Sequence, residues 1–166
     1  MTLWDFEIGP HEEALSSCSR EVLESLALKV IKTVPDYYGR PVEDLFDQST
    51  ITLFRGALEE FETFSGATPS VAERWDEMFE DGYDWQDSRS PFIAASLIQG
   101  VAQFADLLLG RSGDEEAVEV LSSCYESVLS AARLGRAISV DDERSDPNCR
   151  AAVSYQITLI REACGR

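Results

Sequence analysis

The chain has 166 residues and a formal net charge of −17, and 44% of its residues are hydrophobic. This length fits one domain, residues 1–166, and the apolar content offsets the entropy lost on folding, so the charge does not indicate disorder. An acidic surface repels nucleic acids and anionic membranes and attracts basic proteins, which excludes the first two as favoured partners.

The first predicted helix spans residues 15–31, where apolar side chains recur at spacings of three and four. It ends before Pro35, and we expect a bend near residues 16–19. A second helix is expected behind an N-cap at Thr50, and Gly66 ends it because glycine tolerates the left-handed conformation common at helix ends.

A third helix, residues 71–79, is indicated by the S-x-x-E spacing of Ser70 and Glu73, which is typical of a capping box. A central helix at residues 91–109 follows a Ser-Pro start signal and stops at Gly110. Its apolar positions cover more than half of the circumference, so we expect neighbours on several sides.

The last two predicted helices follow the same logic. Ser112 and Glu115 repeat the capping-box spacing before a helix at residues 117–134, and Asp146 with Pro147 opens a final helix. No stretch shows the alternation typical of strands. The sequence therefore predicts an all-α fold, a single compact bundle of about six helices.

The four cysteines, Cys18, Cys124, Cys149 and Cys164, are far apart and include no C-x-x-C pair, so no zinc or redox motif is indicated. The first ten residues lack the basic start and apolar run of a secretory signal. We therefore expect a cytoplasmic protein with reduced, buried cysteines.

Groups suited to catalysis or metal binding are scarce. A di-iron bundle site needs two histidines, and His11 is the single one in the sequence. Asp81, Asp84 and Asp87 lack the spacing of a calcium loop, and no glycine-rich phosphate loop occurs. We interpret His11 as a solvated surface residue and Cys124 as a buried inert thiol. We predict no enzyme activity, metal or cofactor.

Residues 73–87 stand out from the rest of the composition. Seven acids and one cation, Arg74, give this segment a net charge of −6, and four aromatic residues are interleaved. Aromatic side chains can anchor an interface while carboxylates steer a cationic partner. We predict these partner-binding residues: Asp76, Glu77, Glu80, Asp81, Tyr83, Asp84, Trp85 and Asp87. The alternative is a solvated helix end whose aromatics turn inward, and Trp85, past the helix, is the least suited to that alternative.

A second acidic cluster consists of Asp141, Asp142 and Glu143. We interpret it as a hydrated connector between the last two helices, where acids also suit the start of a helix. A functional loop is the alternative, because loops carry binding residues more often than cores do.

Several helix ends and connectors resemble the YjaG-like bacterial family, domain-of-unknown-function family 416. The similar stretches are VPDY at residues 34–37, LFRGAL at 53–58, AVEV at 117–120, GRAIS at 135–139, Asp142-Glu143 and Asp146-Pro147. The resemblance implies an all-helical domain with no assigned activity and carries over no catalytic residue. In physical terms, Gly135 permits a left-handed turn after a helix.

Three classes of function remain. The first is an acidic module that binds a basic protein, most concretely an immunity-type protein that neutralises a basic toxin. The second is a self-associating housekeeping or regulatory scaffold, in which the acidic surface only keeps the protein soluble. The third is an enzyme that uses carboxylates alone, which lacks a visible base or nucleophile.

Overall fold

The structure, a computed structural model, describes residues 1–81, 83–133 and 136–165, without the side chains of Asp81 and Asp87. Within these ranges every regular element is helical, which confirms the all-α prediction. The α-helices are α1 (Leu3–Ile8), α2 (Glu12–Ser16), α3 (Arg20–Thr33), α4 (Val42–Leu45), α5 (Gln48–Glu62), α6 (Pro69–Asp76), α7 (Pro91–Leu108), α8 (Glu115–Arg133), α9 (Val140–Ser145) and α10 (Pro147–Ala163).

The expected number of about six agrees only roughly with this fold. The predicted helices correspond to those of eight residues or more, α3, α5, α6, α7, α8 and α10, whereas α1, α4, α9 and most of α2 were not predicted. Single turns of other helix types occur at Gly9–His11, Val34–Tyr37, Glu77–Asp81 and Trp85–Asp87. Elements shorter than two turns leave too few periodic positions to be recognised in a sequence.

The N-terminal helices are separate elements. α1 begins with a capping box, in which Thr2 and Asp5 each accept a hydrogen bond from the other's backbone N–H. The bend expected near residues 16–19 is a complete break between α2 and α3. Ser19 is extended (ψ 156°) and its hydroxyl accepts a hydrogen bond from the N–H of Val22, so a new helix starts there.

Two predicted N-caps are wrong. α5 begins behind Asp47, and Thr50 lies in its first turn, fully buried, with its hydroxyl donating to Asp47 Oδ1 at 2.6 Å. α8 begins at Glu115, and the hydroxyl oxygen of Ser112 is buried without a hydrogen-bond partner among the described residues. In both cases packing, which local spacing does not report, decides where the side chain lies.

The capping box expected at Ser70 and Glu73 is also wrong. The N-cap of α6 is Thr68, whose hydroxyl accepts a hydrogen bond from the N–H of Val71 at 3.2 Å. Pro69 is the first helical residue, a position where its missing N–H costs no hydrogen bond. The proline therefore moves the start of the helix two residues towards the N-terminus.

α7 is the central helix and packs against α3, α5 and α8. It approaches α8 closely at Gly100, where a Cβ atom would lie 3.4 Å from Cβ of Ser123. Gly110 follows the helix with φ +71°, which confirms the predicted left-handed end. By length and mean hydropathy (1.3) α7 could cross a membrane, and half of it is buried by the neighbouring helices.

The final helix begins where we predicted. The Oδ1 atom of Asp146 accepts hydrogen bonds from two backbone N–H groups of the first turn of α10, each at 2.9 Å. α9 occupies the segment interpreted as a connector and begins with a capping box between Ser139 and Asp142. Gly135, the predicted left-handed residue, lies outside the described residues.

One cluster of buried apolar side chains extends from Leu3 in α1 to Ile160 in α10. Its largest fully buried members include Trp75, Tyr125 and Phe104, from three different helices. Because all the longer helices contribute, the described helices share one core.

The prediction for the cysteines is right for two residues and wrong for two. Cys124 and Cys149 are free and fully buried, and burial raises the pKa of each thiol to about 12. Cys18, between α2 and α3, is instead bonded to Cys164 at the end of α10. Their 146-residue separation conceals this pair in the sequence, since only the packing of α10 on α3 brings them together.

Candidate functional site

Residues 73–87, here called the acidic–aromatic segment, run from α6 to the turn before α7, and aromatic packing holds their first half. Trp75 and Phe79 are 1% and 7% exposed. Trp75 packs edge-on against Phe61 of α5, with ring centroids 5.3 Å apart, and its centroid lies 5.4 Å from that of Phe64. These two aromatics belong to the core, as the inward-turned alternative expected.

The one cation of the segment is bound to α5. Arg74 donates from Nε to Glu60 Oε1 at 2.6 Å and from Nη2 to Glu60 Oε2 at 3.3 Å. These hydrogen bonds hold the pKa of the Glu60 carboxyl below its ordinary value. Trp75 Nε1 lies 3.4 Å from the same carboxylate. Arg74 therefore pairs with an acid outside the segment.

Asp76 has a partner beyond the far end of α7. Arg111 donates to both of its carboxylate oxygens, with Nη2 2.9 Å from Oδ2, and these hydrogen bonds lower the pKa of Asp76. Such a two-point contact fixes orientation as well as charge. The Asp76 charge is thus already matched within the chain, and the residue anchors the end of α6.

Tyr83 anchors the second half of the segment. It is half-buried, and its hydroxyl lies 2.9 Å from Thr50 Oγ1 in α5. Burial is the main cause that raises the pKa of Tyr83 above its ordinary value, so the phenol is neutral at physiological pH. A neutral phenol bonded to a threonine positions the backbone that carries the next two residues.

We define the exposed face of the segment as those predicted partner-binding residues that face solvent, Glu77, Glu80, Asp84 and Trp85. Among the described residues none of these three acids forms an ion pair. Asp84 accepts a hydrogen bond from the backbone N–H of Gln86 at 2.9 Å, which holds the turn at Trp85–Asp87. Trp85 is 38% exposed. This exposed face therefore combines a partly exposed aromatic side chain with three carboxylates that no cation of the described residues pairs.

The predicted partner-binding residues fall into three groups. Asp76 and Tyr83 attach the segment to the fold, and Glu77, Glu80, Asp84 and Trp85 face solvent. Asp81 and Asp87 have side chains outside the described part of the chain. The structure thus separates residues that position the segment from residues that a partner can reach.

The second acidic cluster contains a buried carboxylate. Glu143 is 3% exposed, and its Oε1 atom accepts hydrogen bonds from the Tyr125 hydroxyl at 2.6 Å and from the Leu3 N–H at 3.0 Å. The hydrated-connector interpretation is therefore wrong for Glu143, although the side chain of Asp141 is 89% exposed. Glu143 binds α1 to α8, and no local signal in the sequence marks it.

A second buried hydrogen bond also holds α1. Trp4 Nε1 donates to Gln156 Oε1 at 2.8 Å, and Gln156 Nε2 donates to the Leu121 carbonyl at 3.0 Å. Both the indole and the amide are almost fully buried. Since a buried polar group without a partner is costly, these bonds fix where α1 docks on α8 and α10.

The residues considered for chemistry are dispersed. His11 ends the Gly9–His11 turn and is half-buried, so it is less solvated than we expected. Cys124 is a buried thiol, as predicted, and its raised pKa keeps it protonated and unreactive. Within the described ranges no group of three or more histidine, cysteine or acidic side chains is placed to hold a metal ion.

Comparison with known proteins found no similar protein. No protein-family model matches the chain, and no curated protein or solved structure is significantly similar to it. The resemblance to the YjaG-like family therefore stays a prediction.

Proposed function

We propose that this chain is a non-catalytic, acidic protein-binding domain, most concretely an immunity-type protein that binds and neutralises a basic toxin in the cytoplasm. The observation that carries the proposal is the exposed face of the acidic–aromatic segment. There a partly exposed tryptophan, Trp85, follows three exposed acids that have no ion pair among the described residues.

The charge distribution supports a cationic partner. The segment's own cation is bound to Glu60, and Arg111 is bound to Asp76, so neither neutralises Glu77, Glu80 or Asp84. With a net charge of −17 the whole chain adds long-range attraction for a basic protein and repulsion for nucleic acids. The exposed face would then orient a partner that the overall field draws in.

The proposed roles differ among the predicted residues. Trp85 is the aromatic anchor, since it combines a large apolar area with few rotatable bonds. Glu77, Glu80 and Asp84 act as rim charges, and Asp81 and Asp87 join them in this proposal by sequence alone. Asp76 and Tyr83 are positioning residues because their polar groups are already bound within the chain.

The experiment starts with the proteins encoded by the genes on either side of this one, because the proposal expects a basic toxin among them. Binding is measured by surface kinetics at several salt concentrations for three variants. Glu80→Gln with Asp84→Asn should slow association and flatten its salt dependence, since rim charges act on encounter. Trp85→Ala should speed dissociation and weaken the free energy of binding by about 2 kcal/mol or more, as expected for a central aromatic anchor.

The matched control is Glu12→Gln with Glu13→Gln, which removes two exposed acids from α2. It changes the net charge by the same amount as Glu80→Gln with Asp84→Asn, and it should leave the dissociation rate unchanged. If all three variants bind like the parent while circular dichroism shows intact helices, the exposed face is only solvated. If sedimentation shows a stable oligomer that buries Trp85 and no basic protein binds, the self-associating scaffold is the better function.

A further inference from the structure

We propose that Cys18 and Cys164 form a reversible redox pair, which exchanges with low-molecular-weight disulfides such as glutathione disulfide and, when oxidised, ties the end of α10 to the N-terminal helices. This inference is independent of the proposed partner binding.

The backbone places the two cysteines where a bridge needs no movement of the helices. Their Cα atoms lie 5.8 Å apart, inside the range of about 4.4–6.8 Å found for disulfides. Both residues are half-buried rather than fully enclosed, so a small thiol reagent can reach them. The bond connects the junction between α2 and α3 with the residue that caps α10.

The other two cysteines provide an internal contrast. Cys124 and Cys149 are fully buried, and burial raises the pKa of each thiol to about 12, so almost no reactive thiolate forms. Exchange should therefore be selective for Cys18 and Cys164 in the folded protein.

The two sulfur atoms lie near helix ends of opposite partial charge, and we therefore expect different roles for them. Cys18 lies between the C-terminal end of α2, which has 5 residues, and Ser19, the N-cap of α3, which has 14, and the positive end of the longer helix stabilises a thiolate. Cys164 follows the last residue of α10, where the helix carries partial negative charge. Cys18 is therefore the attacking thiol and Cys164 the resolving thiol.

The exchange balances in two steps. The Cys18 thiolate attacks one sulfur of R–S–S–R, that bond breaks, and R–S⁻ leaves and takes up the proton lost by Cys18. The Cys164 thiolate then attacks the Cys18 sulfur of the mixed disulfide and displaces the second R–S⁻, which takes up the proton lost by Cys164. The protein loses two electrons, and one R–S–S–R is reduced to two R–SH.

Closing this bridge should stabilise the fold. The bond links residues 146 positions apart, and a long closed loop strongly restricts the unfolded chain. The bond joins a residue just before α3 to the residue after α10, and these two helices line an open groove of about 340 Å³ at Val22, Lys29 and Leu159 among others. We expect the oxidised protein to melt on the order of 10 °C above the reduced protein.

The test uses the full chain, reduced, desalted and treated with glutathione disulfide. Native alkylation followed by peptide mapping should show Cys18 and Cys164 reactive before oxidation and protected after it, with Cys124 and Cys149 unreactive throughout. Cys164→Ser should hold a persistent glutathione adduct on Cys18, whereas Cys18→Ser should react more slowly. Ser17→Ala is the matched control and should oxidise like the parent, because it changes a neighbouring exposed residue without removing a thiol.

Two results would overturn the proposal. The first is that glutathione disulfide leaves both thiols open to alkylation, which peptide mapping reports on the parent chain even if a variant fails to fold. The second is that the bridge closes and the melting temperature stays that of the reduced protein. Equal adduct formation in the two single variants would overturn the assigned order of attack.

Discussion

In the sequence both acidic clusters of this protein indicate exposed charge, but the structure buries one acid of the second cluster. In the acidic–aromatic segment Glu77, Glu80 and Asp84 face solvent, and no ion pair neutralises them among the described residues. In the cluster at residues 141–143 the third acid, Glu143, is buried and accepts two hydrogen bonds from distant parts of the chain. A run of acids in a sequence therefore indicates exposed carboxylates only where no hydrogen-bond donor from a distant part of the chain reaches them.

The difference has a simple physical cause. A buried carboxylate is tolerated when hydrogen bonds replace the water that it loses. Tyr125 and the backbone of Leu3 supply such bonds to Glu143, while the acids near Trp85 lie on turns whose other polar contacts are local. Mutations in the two regions should therefore affect different properties, folding stability in one and partner binding in the other.

The largest expected effect contrasts the two tryptophans of the acidic–aromatic segment. Trp75→Ala should lower the free energy of unfolding by about 3–5 kcal/mol, because it empties a fully packed site between α5 and α6. Trp85→Ala should cost less than about 1 kcal/mol, since this side chain is already partly in water. Chemical denaturation measures both values. Similar losses would show that Trp85 is a core residue and unsuited to an interface.

The next effect contrasts the acids of the second cluster. Glu143→Ala should lower the free energy of unfolding by about 2–4 kcal/mol, because it leaves the Tyr125 hydroxyl and the Leu3 N–H buried without an acceptor. Glu143→Gln keeps an acceptor oxygen and should cost less. Asp141→Ala, at an exposed position, should change stability by no more than about 0.5 kcal/mol.

Hydrogen exchange sharpens this second contrast. Glu143→Ala should raise amide exchange in α1 more than in α7, since Glu143 holds the N-terminus of α1 and, among the described residues, forms no hydrogen bond to α7. A uniform rise in amide exchange across all helices would instead show that Glu143 contributes only to the global stability of the fold.

The smallest effect concerns the ion pair that joins the segment to the end of α7. The pKa of the Asp76 carboxyl should lie below its ordinary value of 3.8 and return towards it in Arg111→Gln, because the guanidinium stabilises the charged form. Since the pKa is lowered in the folded state, this contribution to stability is present above the unfolded pKa and is lost as the pH falls through the folded pKa.

The shift in the Asp76 pKa is measured by carboxyl NMR titration below about pH 5, because aspartates titrate in that region. Glu80→Gln is the control and should leave the Asp76 titration unchanged, because Glu80 forms no ion pair among the described residues. Added salt should reduce the shift, as both partners are partly exposed. An unshifted Asp76 would show that the segment is held by Trp75 and Tyr83 rather than by Arg111.

Much of the fold was predictable because its signals are local. Apolar spacing located α3, α5, α7, α8 and α10, and Asp146 and Gly110 marked a helix start and a helix end. The predicted cap at Ser70 failed because Thr68 caps the same helix two residues earlier, and the one at Thr50 failed because α5 already begins behind Asp47. For the candidate site, composition singled out the segment, and the structure decided which of its side chains are buried and which face solvent.

By itself, the sequence determined the helical class, the acidic surface charge and the position of the longer helices, because periodicity and capping act within a few turns of chain. Only the tertiary structure decided that Trp75 is buried and Trp85 exposed, that Glu143 holds α1, and that Cys18 meets Cys164. Each of these outcomes depends on groups contributed by other helices. Whether a polar or aromatic side chain is buried depends on the groups that contact it, and a local sequence pattern does not contain those groups.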